Sequence, residues 1–299
     1  MSAVSVEVNA VAVSSAANVR TAPRFWTRFR RHRLAVIGVI ALGILSALSI
    51  LAPLLVNHPP NAVDLSAYRM PPDSNHWLGT DSAGRDVFSR LLYAGRVSLA
   101  VGIVAVGIYV LIGTLLGGLA GFFGGWVDGA IMRLADMVLS FPSIIVIITI
   151  VSIVGPSIIN VMVVIGLLGW PPIARLVRGE FLTLREREFV LASIATGATS
   201  PRVIFRHILP NALTPVIVNA TFGMASAILL EAGLSFLGLG VQPPTASWGN
   251  MLNAAQSITI LEQMPWLWIP PGLAIVLAVL SINFVGDGLR DALDPRSRK

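Results

Sequence analysis

Residues 183–211 read TLREREFVLASIATGATSPRVIFRHILPN, a polar, arginine-bearing loop set between hydrophobic segments each long enough to cross a bilayer. Thr183 followed by Glu186 has the spacing of a capping box, in which a hydroxyl and a carboxylate satisfy backbone N–H groups at a helix start. The pattern predicts a short helix through EREFVLASIAT that stops at Gly197, the residue best able to take a left-handed conformation after a helix. Ser200-Pro201 predicts a second start, an N-cap followed by proline at the first helical position. RVIFRHIL forms that helix, and Pro210 is expected to interrupt it before the next span. Two short helices meeting at a glycine make a compact knuckle. Its small residues Ala192, Ser193, Ala195, Thr196 and Ala198 would let another protein's surface come close to the backbone. An ordinary interhelical connector would use the same residues, so the decision rests on the remainder of the chain.

The chain as a whole is 55% hydrophobic and 12% charged, with a mean hydropathy of +0.79. Soluble domains are about one-quarter charged, so this is the composition of an integral membrane protein. No cysteine is present, which excludes structural disulfides and thiolate metal sites. The sole lysine is Lys299. A phosphate-cradling Walker loop needs an internal Gly-Lys-Ser/Thr. If ATP drives this protein, another polypeptide hydrolyses it.

The expected organisation is all-α with six transmembrane helices. Residues 1–33 are expected to form a cytoplasmic N-terminal tail, whose first 23 residues lack the basic region ahead of an apolar core that marks a cleaved signal peptide. Arg24, Arg28, Arg30, Arg31 and Arg33 precede a first span at Leu34–Val56 and read as its cytoplasmic anchor rather than as a nucleic-acid site. Residues 57–96 form an outer loop, with tight turns at Gly79-Thr80-Asp81 and Gly84-Arg85-Asp86 and an amphipathic helix from Val87 to Tyr93. His58 and His76 lack the spacing of a metal site. A core over 97–289 holds five further spans, near Ser98–Gly121, Ala135–Ile153, Ser157–Leu176, Leu213–Leu234 and Ile269–Val285. Residues 290–299 form a cytoplasmic tail.

Within the core, glycines 113, 117, 118, 121, 124 and 125 suit close helix packing. Asp128 and Arg133 are placed in a cytoplasmic turn. Pro142 is expected to kink the third span, and Pro171-Pro172 to break the fourth ahead of Arg175 and Arg178. Asn219 and Glu231 are the polar residues of the fifth span and are weak candidates for the substrate path. Glu231 is expected near the outer boundary, within reach of water. Trp248, Trp266 and Trp268 are expected as outer interfacial anchors. Of the 21 basic residues, 17 fall on the cytoplasmic side of this topology, and the other 4 (Arg69, Arg85, Arg90 and Arg96) lie in the first outer loop. That asymmetry places both termini inside.

The loop quoted first resembles the "EAA" loop of ABC-importer permease subunits: Glu-Ala-Ala, three residues, Gly, and after nine more Ile-x-Leu-Pro. Ala192, Gly197, Leu209 and Pro210 fall on matching positions. Leu191 stands where the family carries Glu, Ser193 where it carries the second Ala, and His207 where it often carries Ile. The register is kept, and Glu186 and Glu188 lie within one turn. The stretch HWLGTDSAGRDVFSRLLYAGRVSL resembles the segment before the second span of dipeptide, oligopeptide and nickel importer permeases at Asp81, Arg85, Asp86, Arg90 and Arg96. Its role there is either to receive a binding protein or to rigidify the loop as an ion-paired lid. Arg133, Asp136, Ser140 and Pro142 follow the family's Arg-x-x-Asp-x-x-x-Ser-x-Pro. The C-terminal signature returns at Gly286, Asp287, Leu289, Arg290, Asp291, Asp294 and Pro295.

The resemblance implies a type I ABC importer, MetI-like permease fold in the bacterial plasma (inner) membrane. It also implies a second permease subunit, cytoplasmic ATP-binding subunits carrying ATP and Mg, and an extracytoplasmic substrate-binding protein. Surrounding lipid is the remaining partner, with no nucleic acid, no metal and no cofactor on this chain. The cargo it implies is peptides or a related small solute such as a nickel complex. ATPase coupling would fall to Glu188, Leu191, Ala192, Ser193, Gly197, His207, Leu209 and Pro210, with the helix at Thr183–Thr196 seated in a groove of the ATPase. No catalytic residue is assigned. An ion-coupled carrier would be expected to show charges at mid-depth and inverted repeats. An intramembrane enzyme would need a metal motif or paired acid and base groups at that depth. None of these is evident.

Overall fold

The structure, a computed structural model, describes residues 25–293. The expected tail up to Arg24 and the signature positions Asp294 and Pro295 lie outside the described residues. Helix α1 (Phe25–Arg31) turns at His32 into α2 (Arg33–Ile50), whose first turn His32 caps by accepting the Ala35 N–H at Nδ1, 3.0 Å away. The one-turn α3 (Ala52–Leu55) follows. Helices α4 (Val87–Phe123), α5 (Gly125–Leu139), α6 (Ser143–Val154), α7 (Ile158–Leu168) and α8 (Trp170–Arg185) form the first half of the core. Next come α9 (Glu188–Ala195), α10 (Ser200–Val203), a π turn over Ile204–Ile208, and α11 (Leu209–Phe236). Two short helices, α12 (Trp248–Leu252) and α13 (Ile258–Gln263), precede α14 (Ile269–Leu293). Among the described residues, five helices or continuous helical runs are long and apolar enough to span a membrane, and six if the bent pair α5–α6 counts as one.

The central pole is α4. Its 37 residues extend about 55 Å at 1.5 Å per residue, against a hydrocarbon core of about 30 Å. The helix expected at Val87–Tyr93 is therefore not separate: it is the outer end of this pole. The N-cap is Asp86, which accepts the Ser89 N–H at 2.7 Å. Gly113, Gly117 and Gly121 repeat every four residues and face α8. A methyl group at Gly113 would lie 2.7 Å from the Ile173 Cβ, and one at Gly121 would lie 2.6 Å from the Phe181 Cβ. Small side chains here allow the two backbones to meet, which is how helices associate where lipid supplies no hydrophobic drive. Gly118 packs on the Phe181 ring. Gly124 and Gly125 do not pack: at φ +64° and +54° they make the turn between α4 and α5.

Pro142 has a larger effect than a kink, since α5 and α6 meet at 81°. Asp128 and Arg133 lie within α5 rather than in a turn. Pro171 and Pro172 do not divide the fourth span. The ladder is interrupted for one residue at Gly169, and the prolines occupy the first turn of α8, where their missing N–H groups are not needed.

Candidate functional site

Helix α8 delivers the chain to the inner loop, and arginines hold it there. Arg178 donates from Nη2 to Asp128 Oδ2 at 2.6 Å and from Nε to Asp128 Oδ1, a two-pronged pair across to α5. Arg175 Nη2 donates to Asp136 Oδ1 at 2.6 Å, and Arg185 Nη1 to the Phe122 carbonyl at 3.1 Å. Planar guanidinium forks suit such fixed geometry. Sequence reading singled out Asp128, Asp136, Arg175 and Arg178 but not their pairing, because 39 and 50 residues separate the partners.

The knuckle differs from expectation at its start. Thr183 lies inside α8 and its hydroxyl donates to the Gly179 carbonyl at 3.0 Å, so the Thr183/Glu186 capping box does not form. Buried Val177 and Phe181 pull α8 onto α4, and that burial outweighs a cap worth about 1 kcal/mol. The first loop helix is therefore α9, entered at Arg187 without a side-chain cap. Its stop is as expected: Gly197 has φ +84°, and its N–H reaches the Ile194 carbonyl at 2.9 Å. The second helix has Thr199 rather than Ser200 at its N-cap position, without a side-chain cap bond, and Pro201 in its first turn.

Nor does Pro210 terminate that helix. A π turn intervenes, in which the Leu209 N–H bonds to the Ile204 carbonyl, and Pro210 enters the first turn of α11. Pro210 would lose a bond and crowd the carbonyl four residues back in a regular helix; the wider turn accommodates it. Such turns often sit at functional sites.

Helix α9 is held by one residue, Val190, which is wholly buried. Around it Phe189, Leu191 and Ile194 are each about half exposed, and Phe205 is 64% exposed. Glu188, Ala192 and Gly197 are exposed, Ser193, His207 and Leu209 are half-buried, and Pro210 is exposed. The matched positions thus form one knuckle, with an apolar surface that no other part of the described chain covers.

On the opposite side the outer loop is an ion-paired assembly. Asp81 accepts the Ala83 and Arg85 N–H groups at 2.8 and 3.0 Å on Oδ1, and Arg85 Nε at 2.7 Å on Oδ2. Arg90 Nε is 3.5 Å from the same oxygen. Asp86 contacts His76 Nδ1 at 3.0 Å, while Arg96 grips the carbonyls of Ser49 and Ile50, both at 2.6 Å. Ser66 donates its N–H and hydroxyl to Asp64, and these bonds hold that carboxyl below its usual range. His58 and His76 come within 4.7 Å, ring centre to ring centre.

Glu231 corrects the sequence reading. It is fully buried and does not reach water. Its oxygens accept the Ser235 hydroxyl at 2.6 Å and the Ser98 hydroxyl at 3.2 Å. Those hydroxyls accept in turn the Val241 and Trp248 N–H groups at 3.0 and 3.1 Å. Glu231 therefore ties α4, α11 and the segment leading into α12. Trp248 is buried, not interfacial, and its indole donates to the Leu91 carbonyl at 3.1 Å. Asn219 is exposed on α11 and borders a cavity of about 530 Å³ with Glu180 and Arg290.

A bundle of apolar helices with a protruding knuckle and a braced loop has the form of a multi-pass membrane protein. Residues 113–299 match the family described as binding-protein-dependent transport system inner membrane component, and residues 23–72 match the N-terminal TM domain of oligopeptide transport permease C. A Brucella suis biovar 1 protein provisionally named a peptide permease is 50% identical over 270 residues, covering 90% of this chain and 89% of the relative. The dipeptide transport system permease protein DppC of Alkalihalophilus pseudofirmus is 44% identical over 271 residues, covering 91% and 88%. The fold is similar to a chain of the MetNI methionine ABC transporter solved in inward-facing conformations, with a TM-score of 0.55 and 21% identity over 69% of this chain and 96% of that one. The chain belongs to the binding-protein-dependent transport family as its inner membrane, permease component. It is a transport protein rather than an enzyme.

Proposed function

We propose that this permease imports short peptides delivered by an extracytoplasmic binding protein, pairs with a second permease subunit, and is driven by cytoplasmic ATP-binding subunits. The observation that carries the reading is α9, an eight-residue helix anchored by Val190 with Phe189, Leu191 and Ile194 left uncovered. A surface of this kind suits a partner's groove. Glu188, Leu191, Ala192, Ser193, Gly197, His207, Leu209 and Pro210 form the coupling knuckle within 183–211. Nucleotide-driven closure would draw two such knuckles together, and the arginine-braced α8 would carry that displacement into the spans. Asp81, Arg85, Asp86 and Arg90 belong to the outer face, Asn219 is retained for the path, and both termini are cytoplasmic. Peptide cargo is favoured by the names of the relatives.

Gentle affinity purification of the chain from its native membrane, with mass spectrometry of what accompanies it, tests the assembly. Recovery of a nucleotide-binding subunit and a second multi-span protein is the expected result. A chain that purifies alone and supports uptake in vesicles without ATP would overturn it.

A further inference from the structure

The outer loop and the segment after α11 enclose a cavity of about 460 Å³. Three guanidiniums, those of Arg69, Arg85 and Arg90, line it against a single carboxylate, Asp81. Arg85 and Arg90 share that carboxylate, at 2.7 and 3.5 Å. Arg90 is 95% withdrawn from solvent, and its Nη1 reaches only the Pro60 and Pro244 carbonyls and Asn61 Oδ1, all at 3.2 to 3.3 Å. Among the described residues, Arg69 has no carboxylate within ion-pair distance. Its guanidinium stacks over the Tyr68 ring at 4.9 Å, its Nε is buried with no hydrogen-bond partner, and its backbone is held at φ +51°. A buried N–H without an acceptor is a standing cost. Positive φ in a non-glycine residue marks a position that the surrounding structure imposes. The remaining lining mixes amides of Gln242 and Asn250 with apolar Met251 and Leu267, the combination typical of sites for small molecules.

We propose that this cavity is a binding site for a small carboxylate ligand, and that its natural occupant is the C-terminal carboxylate of a short peptide awaiting passage. The excess of arginine over carboxylate selects an anion, and planar guanidinium forks suit a carboxylate. The volume is within the range of small-ligand pockets. The choice of peptide rests on the importer reading above. The carboxylate itself rests only on the cavity.

The test uses the full chain in lipid nanodiscs with three probes: Ala-Ala, its C-terminal amide, and acetate. Calorimetric titration is expected to show Ala-Ala binding, acetate competing with it, and the amide weaker by about tenfold, the factor that one modest charge-assisted hydrogen bond confers. Arg69→Gln should weaken Ala-Ala by about the same factor and remove its advantage over the amide, while Arg69→Lys restores part of the affinity. Equal binding of acid and amide, no binding of Ala-Ala, or binding indifferent to Arg69→Gln overturns the site. If Ala-Ala does not bind, yet Arg69→Gln weakens docking of the binding protein, the carboxylate belongs to that protein and the peptide site is again overturned. ATP-dependent peptide uptake by the wild-type assembly, measured alongside, separates the two readings: its persistence leaves importer function standing when the site fails.

Discussion

At the scale of single residues, glycines and one glutamate carry the sharpest consequences. Gly117 lies under the backbone of Ala174, so Gly117→Val must push α4 and α8 apart, at a cost of about 1–3 kcal/mol. Gly107, on the same helix, has nothing within 4 Å of an added methyl group, and Gly107→Ala should be neutral or slightly stabilising. Thermal aggregation in detergent compares the pair, and equal melting would show that the α4–α8 approach is not tight. Glu231→Ala removes the acceptor of two buried hydroxyls and should cost about 1–3 kcal/mol. Glu231→Gln keeps one oxygen and should be milder. Protease nicking of the segment after α11 reads the difference, with the alanine variant cut fastest. The existence of these residues was plain in the sequence. That Glu231 would be sealed in by Ser98, more than a hundred positions away, was not, because local pattern says nothing about which distant hydroxyl folds onto a carboxylate.

At the scale of elements, the inner knuckle is where local signals succeeded and failed side by side. Gly197 was legible because a left-handed stop depends on that residue's own backbone. Proline there would be forced to φ near −65°, against the observed +84°, and would lose the bond to Ile194. Gly197→Pro is expected to insert and assemble yet abolish uptake, and normal uptake by this variant would remove the case for the knuckle as coupler. Leu191→Glu, on an exposed position, should leave uptake unchanged or slightly raised. Complete loss of transport would mean that the loop docks differently. The capping box at Thr183 misled because its residues are adequate for a cap, but α8, packed through Val177 and Phe181, runs on through Thr183 to Arg185. The π turn before Pro210 has no sequence sign beyond the proline itself, which is equally compatible with a stop.

At the scale of the whole molecule, topology makes the clearest prediction. The chain has no cysteine, so single introduced thiols report sidedness without background. Ala192→Cys should react with an impermeant maleimide only from the cytoplasmic side, and Asn61→Cys only from outside. The reverse pattern would invert the proposed orientation. Hydropathy determined by itself that this chain lives in a membrane, roughly where it crosses, and which way the basic loops should face, because burial in lipid is decided by side-chain composition over about 20 residues. The resemblance of its short, local motifs to those of a known family added the family. What only the tertiary structure decided is contact at long range. It made α4 one uninterrupted pole on which α8 and α11 close, turned the third span through 81° at Pro142, and paired Arg178 with Asp128. It also left Arg69 without a carboxylate partner at the lining of a cavity. The physical reason is that composition and periodicity act within a few turns of chain, whereas packing and ion pairing join residues whose separation in sequence carries no mark of their meeting.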